Sequence, residues 1–207
     1  MYCTNSGDNR ESKIKINNEL IRNLTFQKLQ LFCTLFKMHF TLRPFRENDI
    51  DNLVKHANNY NIAKNLTNKF PFPYKQKDGE AFIKLATSHE PLQIKAIVIE
   101  TEVVGSIGVH PLADIYGKNA ELGYWIAEPF WGKGIVPLAV KEMLKYGFET
   151  FDIERIFART SEVNLSSQQV LKKVGFVLEA ELKGTIFKYD EYFDELIFGF
   201  RKHQMKQ

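Results

Sequence analysis

The spacing of apolar residues after position 38 predicts alternating strands and helices. Apolar residues recur at helical spacing over residues 47–59, 78–88, 136–150 and 166–174, and Gly175 terminates the last of these helices. Shorter β-branched and aromatic runs predict strands over 41–44, 94–100, 103–109, 120–127, 155–160, 176–181 and 192–200. Several strands in succession, followed by alternating strands and helices, predict an α/β (α+β) domain with a mixed sheet and helices on both faces.

The segment over residues 70–74, FPFPY, predicts an extended loop between two of these helices. Two prolines two positions apart exclude a helix there. Its aromatic side chains either anchor a long connection in the core or form a wall of a substrate pocket, and the sequence favours neither.

Charge divides the chain into two regions. Residues 1–37 carry six basic and three acidic side chains, whereas the other 170 residues hold 22 of each sign. We therefore expect a domain over 38–207 and an N-terminal extension over 1–37, which is either a short helix within 18–36 or a non-native start. Because the domain is neutral, the net charge of +3 does not indicate a nucleic-acid partner.

The cysteines and the apolar stretch of the extension favour a cytoplasmic protein. Cys3 and Cys33 both precede the predicted domain, so no disulfide can join its parts. The apolar stretch over 29–36 is far shorter than the roughly 20 residues that span a bilayer, and no secretory cleavage site follows it. We therefore expect no membrane anchoring. The five histidines lack metal-binding spacing, so we also expect no metal.

A glycine-containing turn joins the strand over 120–127 to the helix over 136–150. It reads Trp131-Gly132-Lys133-Gly134-Ile135. Glycines let backbone amides approach a ligand, and the positive end of the following helix favours an anion such as a diphosphate. The turn matches neither the phosphate-binding loop of nucleotide hydrolases nor the dinucleotide fingerprint, because Pro137 stands where the third glycine would fall. Taken alone, it is more typical of an ordinary strand-to-helix connection.

Four motifs together resemble the GNAT acyltransferase superfamily. They are LRPFRENDID at 42–51, VVGSIGV at 103–109, AELGYWIAEPFWGKGI at 120–135 and NLSSQQVLKKVGF at 164–176. The branch they resemble includes ribosomal-protein-alanine N-acetyltransferases of the RimJ/RimL type. The resemblance implies a mostly antiparallel sheet and acetyl transfer from acetyl-CoA to a primary amine, either a protein N-terminus or a small molecule. It leaves monomer and homodimer open.

The resemblance also implies which residues bind acetyl-CoA. In the family, amides of the turn over 131–136 hold the diphosphate, the end of the preceding strand pairs with the pantetheine arm, and an asparagine contacts that arm. Lysines of the next helix are candidates for the phosphates. The residues so implied are Ile126, Ala127, Trp131, Gly132, Lys133, Gly134, Ile135, Val136, Asn164, Ser167, Lys172 and Lys173.

Catalysis needs a base for the amine and an acid for the departing thiolate. The resemblance implies Glu121 as the base. Leu171 occupies the position of the family's usual acidic tyrosine, which makes Ser167 the candidate acid. Tyr124 is an alternative acid, although strand alternation puts it on the face opposite Glu121. We interpret His110 as structural or solvent-facing.

The missing tyrosine leaves a second function open. A GNAT-like module that binds acyl-CoA without turnover would not need an acid, although it would have no need of Glu121 either. A protein for another nucleotide is disfavoured, because neither phosphate-loop motif is met.

Overall fold

The computed structural model describes residues 39–206, so the predicted extension over 1–37 lies outside the described residues. The strands are β1 Phe40–Arg43, β2 Ile94–Ile99, β3 Glu102–Pro111, β4 Asn119–Ile126, β5 Arg155–Ser161, β6 Val177–Lys188 and β7 Glu191–Arg201. The α-helices are α1 Ile50–Ala57, α2 Tyr60–Ala63, α3 Gln76–Ala86, α4 Ile135–Thr150 and α5 Leu165–Val174. Short 3-10 turns occur at Glu47–Asp49, Asp114–Tyr116, Glu128–Phe130 and Lys202–Lys206.

The seven strands form one sheet in the order β1-β2-β3-β4-β5-β7-β6. Only β4 and β5 run parallel, and every other neighbouring pair is antiparallel. The connection between the two parallel strands contains α4, as a parallel crossover requires. The predicted mixed, mostly antiparallel sheet is confirmed.

Helices cover both faces of the sheet, also as predicted. Successive residues of a strand point to opposite faces. Trp125 packs into a core cluster with Leu53 of α1 and Ile83 of α3, whereas the preceding Tyr124 contacts Ser167 of α5 on the other side. The same second face carries α4, where Gly147 lies close to the side chains of β3 and β5.

The predicted helix over 47–59 is in fact shorter and is followed by a second helix. Two consecutive asparagines separate α1 from α2. The Asn58 side chain accepts a hydrogen bond from the Tyr74 amide at 3.0 Å, and Asn59 caps α2 by accepting from the Asn61 amide at 2.8 Å. Asparagine side chains therefore break the helical pattern here by binding backbone amides.

The FPFPY loop serves as a core anchor at two of its aromatic positions. Tyr74 is buried, and Phe70 packs against both Tyr74 and Trp125 at centroid distances of 5.1 and 5.7 Å. Phe72 is half exposed and stacks edge-on with Tyr60 of α2. The loop thus joins α2 to the core.

A buried lysine ties the hairpin of β6 and β7 to α2. Lys188 Nζ donates a hydrogen bond to the Ala63 carbonyl at 2.6 Å and another to the Leu66 carbonyl. Ala63 is the last residue of α2, and Leu66 lies three residues beyond it. Burial lowers the pKa of Lys188. The contact holds α2 in place beside the sheet.

The part of the chain that the structure describes contains neither a membrane-spanning helix nor a metal-binding cluster. From residue 39 to 206, none of the helices combines the length and apolar character needed to cross a bilayer. Within the same range, no group of three or more histidine, cysteine, aspartate and glutamate side chains is arranged to hold a metal ion.

Candidate active site

The candidate site lies where β4 and β5 separate. The two strands pair from Asn119 with Arg155 to Glu121 with Phe157. The pairing ends there, although β4 runs on to Ile126 and β5 to Ser161. The edge of β4 beyond Glu121 is therefore open to an added extended chain.

Hydrogen bonding to β3 decides which backbone groups of β4 face this opening. The Ala127 N–H donates to the Val104 carbonyl at 2.7 Å, and the Ala127 carbonyl accepts from the Phe130 amide at 2.9 Å. Both backbone groups of Ala127 therefore have partners within the chain, and its pairing with the pantetheine arm stays a prediction. In an antiparallel ladder the direction alternates, so the N–H of Ile126 and the backbone groups of Tyr124 face the opening.

The turn before α4 presents its amides around an open space. Gly132 and Gly134 adopt φ angles of +72° and +74°, in the left-handed region that favours glycine. A Cβ built on either glycine would meet nothing within 4 Å. Gly134 is the N-cap of α4, whose first-turn amides are left without carbonyl partners by helix geometry. This arrangement suits a diphosphate.

Trp131 closes the turn onto the strand. Its indole Nε1 donates to the Ile126 carbonyl at 2.8 Å, while the side chain itself stays largely exposed. The Trp131 side chain therefore fixes the turn against the end of β4. The amine of the neighbouring Lys133 lies over the Phe130 ring, 5.3 Å from its centroid.

Helix α5 forms the opposite side of the opening. Asn164 caps it, with Oδ1 accepting from the Ser167 amide at 3.2 Å, and Gly175 ends it at a φ of +107°. Lys173 lines the cleft, whereas Lys172 lies outside it. The structure therefore separates the two lysines that were predicted together as phosphate ligands.

These elements enclose a cleft with a volume of about 590 Å³. The predicted cofactor residues that line it are Ile126, Trp131, Gly132, Gly134, Ile135, Val136, Asn164, Ser167 and Lys173. Ala127, Lys133, Lys172 and the candidate base Glu121 lie outside the lining. The motif-based set is therefore brought together at one place, apart from these four residues.

One wall of the cleft was missed by sequence reasoning. It consists of α2 and the residues after it, namely Asn61, Ile62, Lys64, Asn65 and Leu66. The α2 region is joined to the turn because Asn59 Nδ2 donates to Glu128 Oε2 at 2.7 Å. The sequence signal was the Asn59 cap, which marks the start of a helix too short to show periodicity.

Glu121 lies on the other face of β4, two residues before Gly123, where the strand carries no side chain. Across the ladder, His110 is paired with Glu121, and Gly108 is paired with the exposed Gly123. A Cβ on Gly123 would meet nothing within 4 Å. Gly123 therefore leaves room for a small group next to the Glu121 carboxylate, whereas the His110 imidazole covers Gly108, where its Nε2 would lie 2.7 Å from an added Cβ.

Charged groups surround the Glu121 carboxylate. Arg159 Nε lies 3.6 Å from Glu121 Oε1, and Arg159 Nη1 lies 3.6 Å from Glu195 Oε1. One guanidinium thus lies between two carboxylates. Burial, with a smaller contribution from His89, lowers the pKa of His110 and favours its neutral form.

The two candidate acids meet on the cleft side of β4. The Tyr124 hydroxyl oxygen lies 2.9 Å from Ser167 Oγ, and both residues line the cleft. Burial raises the pKa of Tyr124 to about 12. The predicted opposition of Tyr124 and Glu121 is confirmed, because Glu121 shares the face of Trp125.

The sequence model of the Acetyltransferase (GNAT) domain matches residues 39–177 of this chain. The match begins at β1 and includes both motifs around the cleft. The chain therefore belongs to the GNAT acetyltransferase family, and its activity is acetyl-CoA-dependent N-acetyl transfer.

Three similar proteins illustrate the family. The chain is 30% identical over 154 residues to the uncharacterized N-acetyltransferase p20 of Bacillus licheniformis, covering 72% of this chain and 85% of that protein. It is 32% identical over 100 residues to the ribosomal-protein-serine acetyltransferase of Escherichia coli (strain K12), covering 48% and 55%. The Vibrio cholerae spermidine N-acetyltransferase, solved with CoA and spermine, superposes with a TM-score of 0.66 at 22% identity, covering 81% and 98%.

Proposed function

We propose that this GNAT acetyltransferase transfers the acetyl group directly to a primary amine of a small molecule or a protein N-terminus, with Glu121 as base and Ser167 as acid. One observation carries the assignment of roles. At the point where β4 separates from β5, a carboxylate projects from one face and a hydroxyl pair meets on the other. This supports an amine arriving from the Glu121 face and a thioester entering through the cleft.

The residues of the cleft fit acetyl-CoA. The Gly132–Gly134 turn offers amides in an open space, and the edge of β4 offers a place for an extended arm. Acetyl-CoA supplies the activated acetyl thioester. The reducing cytoplasm, where we expect the protein to act, is consistent with both cysteines lying outside the domain.

In this reaction Glu121 accepts protons from the amine, and Ser167 donates one to the departing sulfur. Glu121 accepts the proton of the substrate ammonium, directly or through water, and frees the lone pair that forms the new C–N bond. After passing that proton to water, it accepts the second proton that the nitrogen loses as the amide forms. As the C–S bond breaks, its electron pair stays on sulfur, and Ser167 Oγ gives that sulfur a proton. The nitrogen and the sulfur bond to the same acetyl carbon, so that carbon must lie where β4 separates from β5, with the base on one face of β4 and the acid on the other.

The cofactor assignment predicts selective stabilisation by acetyl-CoA. At about 100 times Kd, acetyl-CoA should raise Tm by about 5–10 °C, because binding only the folded state adds about 2.7 kcal/mol. ATP and NAD at equal concentration should leave Tm unchanged. Differential scanning fluorimetry measures all three, and a shift with ATP alone would contradict the assignment.

The acceptor is identified by measuring thiol release with an amine panel. The panel contains peptides with free Ala or Ser N-termini, their N-blocked forms with an internal lysine, and spermidine, because the similar proteins act on ribosomal-protein serine and on spermidine. We expect acetyl-CoA-dependent thiol release with at least one of these amines and none without amine. Cofactor binding without turnover on any amine would instead favour a non-catalytic acyl-CoA module.

A further inference from the structure

The hydroxyl pair of Tyr124 and Ser167 joins β4 to α5 inside the cleft. The two oxygens are 2.9 Å apart, a distance typical of an O–H···O hydrogen bond. The Ser167 backbone amide is already used, since it donates to Asn164 Oδ1. The position of the Ser167 side chain is therefore defined by two contacts, one at each end of the residue.

The chemistry of the two hydroxyls decides the direction of this bond. A phenol is a stronger acid than an aliphatic alcohol and is therefore the better donor. With Tyr124 donating to Ser167 Oγ, the hydrogen of Ser167 is left free for another acceptor in the cleft. Because burial raises the pKa of Tyr124 to about 12, the phenol stays protonated over the usual assay range.

The position in α5 where the family usually has its acidic tyrosine carries no hydroxyl group here. Leu171 is fully buried in the core. A phenol is nevertheless present at the cleft, because Tyr124 reaches it from β4. It lies against Ser167, whose hydroxyl oxygen is within hydrogen-bond distance of the phenol.

We infer that Tyr124 is a positioning residue that orients Ser167 and resupplies its proton, so that the two hydroxyls act in series as the acid of the reaction. The inference rests on the proposed function. As the C–S bond breaks, sulfur takes the Ser167 proton, Ser167 Oγ takes the Tyr124 proton, and water restores the phenol. Glu121 passes two protons to water in turn, one that the ammonium loses before attack and one that the nitrogen loses as the amide forms. One proton returns from water to the phenol, so one proton is released net and the cycle balances.

The test is a double-mutant cycle on kcat with Tyr124→Phe, Ser167→Ala and the double variant. Each single substitution should lower kcat by about tenfold or more, and the double variant should resemble the slower single variant, because groups in series are not additive. The Kd for acetyl-CoA should stay within about twofold, since the phenol ring and the backbone are retained. Wild-type kcat in Tyr124→Phe, or losses that multiply in the double variant, would overturn the inference.

Tyr146→Phe is the matched control. It removes a phenol that donates to the Leu92 carbonyl at 2.8 Å, outside the residues lining the cleft. We expect wild-type kcat from it. A wild-type enzyme that releases no thiol with any amine would be a failure of the proposed function, whereas an active enzyme indifferent to Tyr124→Phe is a failure of this inference alone.

A second measurement covers the case in which Tyr124→Phe folds poorly. Replacing Tyr124 with 3-fluorotyrosine keeps its shape and lowers the pKa of the phenol. Because only the protonated phenol donates, kcat should then decline at a lower pH than in the wild type. An unmoved pH profile of kcat would contradict the proton supply, since a merely structural role does not respond to phenol acidity.

Discussion

Glu121→Gln is expected to lower kcat by about 10²-fold at pH 7 while leaving the Kd for acetyl-CoA nearly unchanged, the usual effect of removing a positioned base. The side chain lies outside the cleft lining, so cofactor binding has no reason to change. Stability should change little, because the partly exposed ion pair with Arg159, at 3.6 Å, is of a kind typically worth about 0–1 kcal/mol. Steady-state kinetics and a melting curve measure both effects.

Raising the pH should recover part of the lost activity, because the solution then deprotonates the amine. An α-amine, with an ordinary pKa of about 8, should be recovered by about pH 9, whereas a side-chain amine near 10.4 should gain until above pH 10. The recovery curve therefore reports the class of the acceptor as well as the role of Glu121.

Glu195→Gln is the matched control, since it removes the other carboxylate that contacts Arg159. It should change kcat far less than Glu121→Gln does. If Glu121→Gln keeps wild-type kcat at pH 7, the base must be sought elsewhere. The neutral His110, paired with Glu121 across the ladder, is then the next candidate.

The local pattern of apolar and polar residues was sufficient to predict most strands and helices and the position of the cleft. The strand over 120–127 and the helix over 136–150 match β4 and α4 within one residue at each end, because both have strong, uninterrupted apolar patterns. The end of β6 was missed. Residues 182–188 are mostly exposed, and their strand conformation comes from pairing with β7.

The details of the site that the sequence left open depended on strand register and tertiary packing. Whether Ile126 or Ala127 faces the opening follows from which of them bonds to β3, and one residue of register reverses the answer. The contact between Tyr124 and Ser167 joins residues 43 positions apart, so it depends on how α5 packs on the sheet. Alternation alone placed Tyr124 on the correct face but could not supply its partner.

Gly134→Ala is expected to weaken acetyl-CoA binding by about 10–100-fold, the worth of one charge-assisted hydrogen bond. Gly134 has a φ of +74°, where a residue with a Cβ costs about 1–2 kcal/mol. The added methyl group would also enter the open space that the turn amides face. Isothermal titration calorimetry measures Kd, and kcat at saturating acetyl-CoA should change little, because the turn contains neither candidate catalytic residue.

Two comparisons distinguish the loss of diphosphate binding in Gly134→Ala from the effect of backbone strain alone. Gly184→Ala introduces the same kind of strain at a φ of +62° in β6, outside the cleft lining, and should lower Tm similarly while keeping wild-type Kd. Acetyl-pantetheine carries the thioester but no diphosphate, so Gly134→Ala should lower kcat/KM for acetyl-CoA and leave kcat/KM for acetyl-pantetheine unchanged. Equal losses with both donors would mean that Gly134 shapes the cleft as a whole. Only a contact with the part that acetyl-pantetheine lacks, the diphosphate and its 3′-phosphoadenosine, can distinguish the two donors.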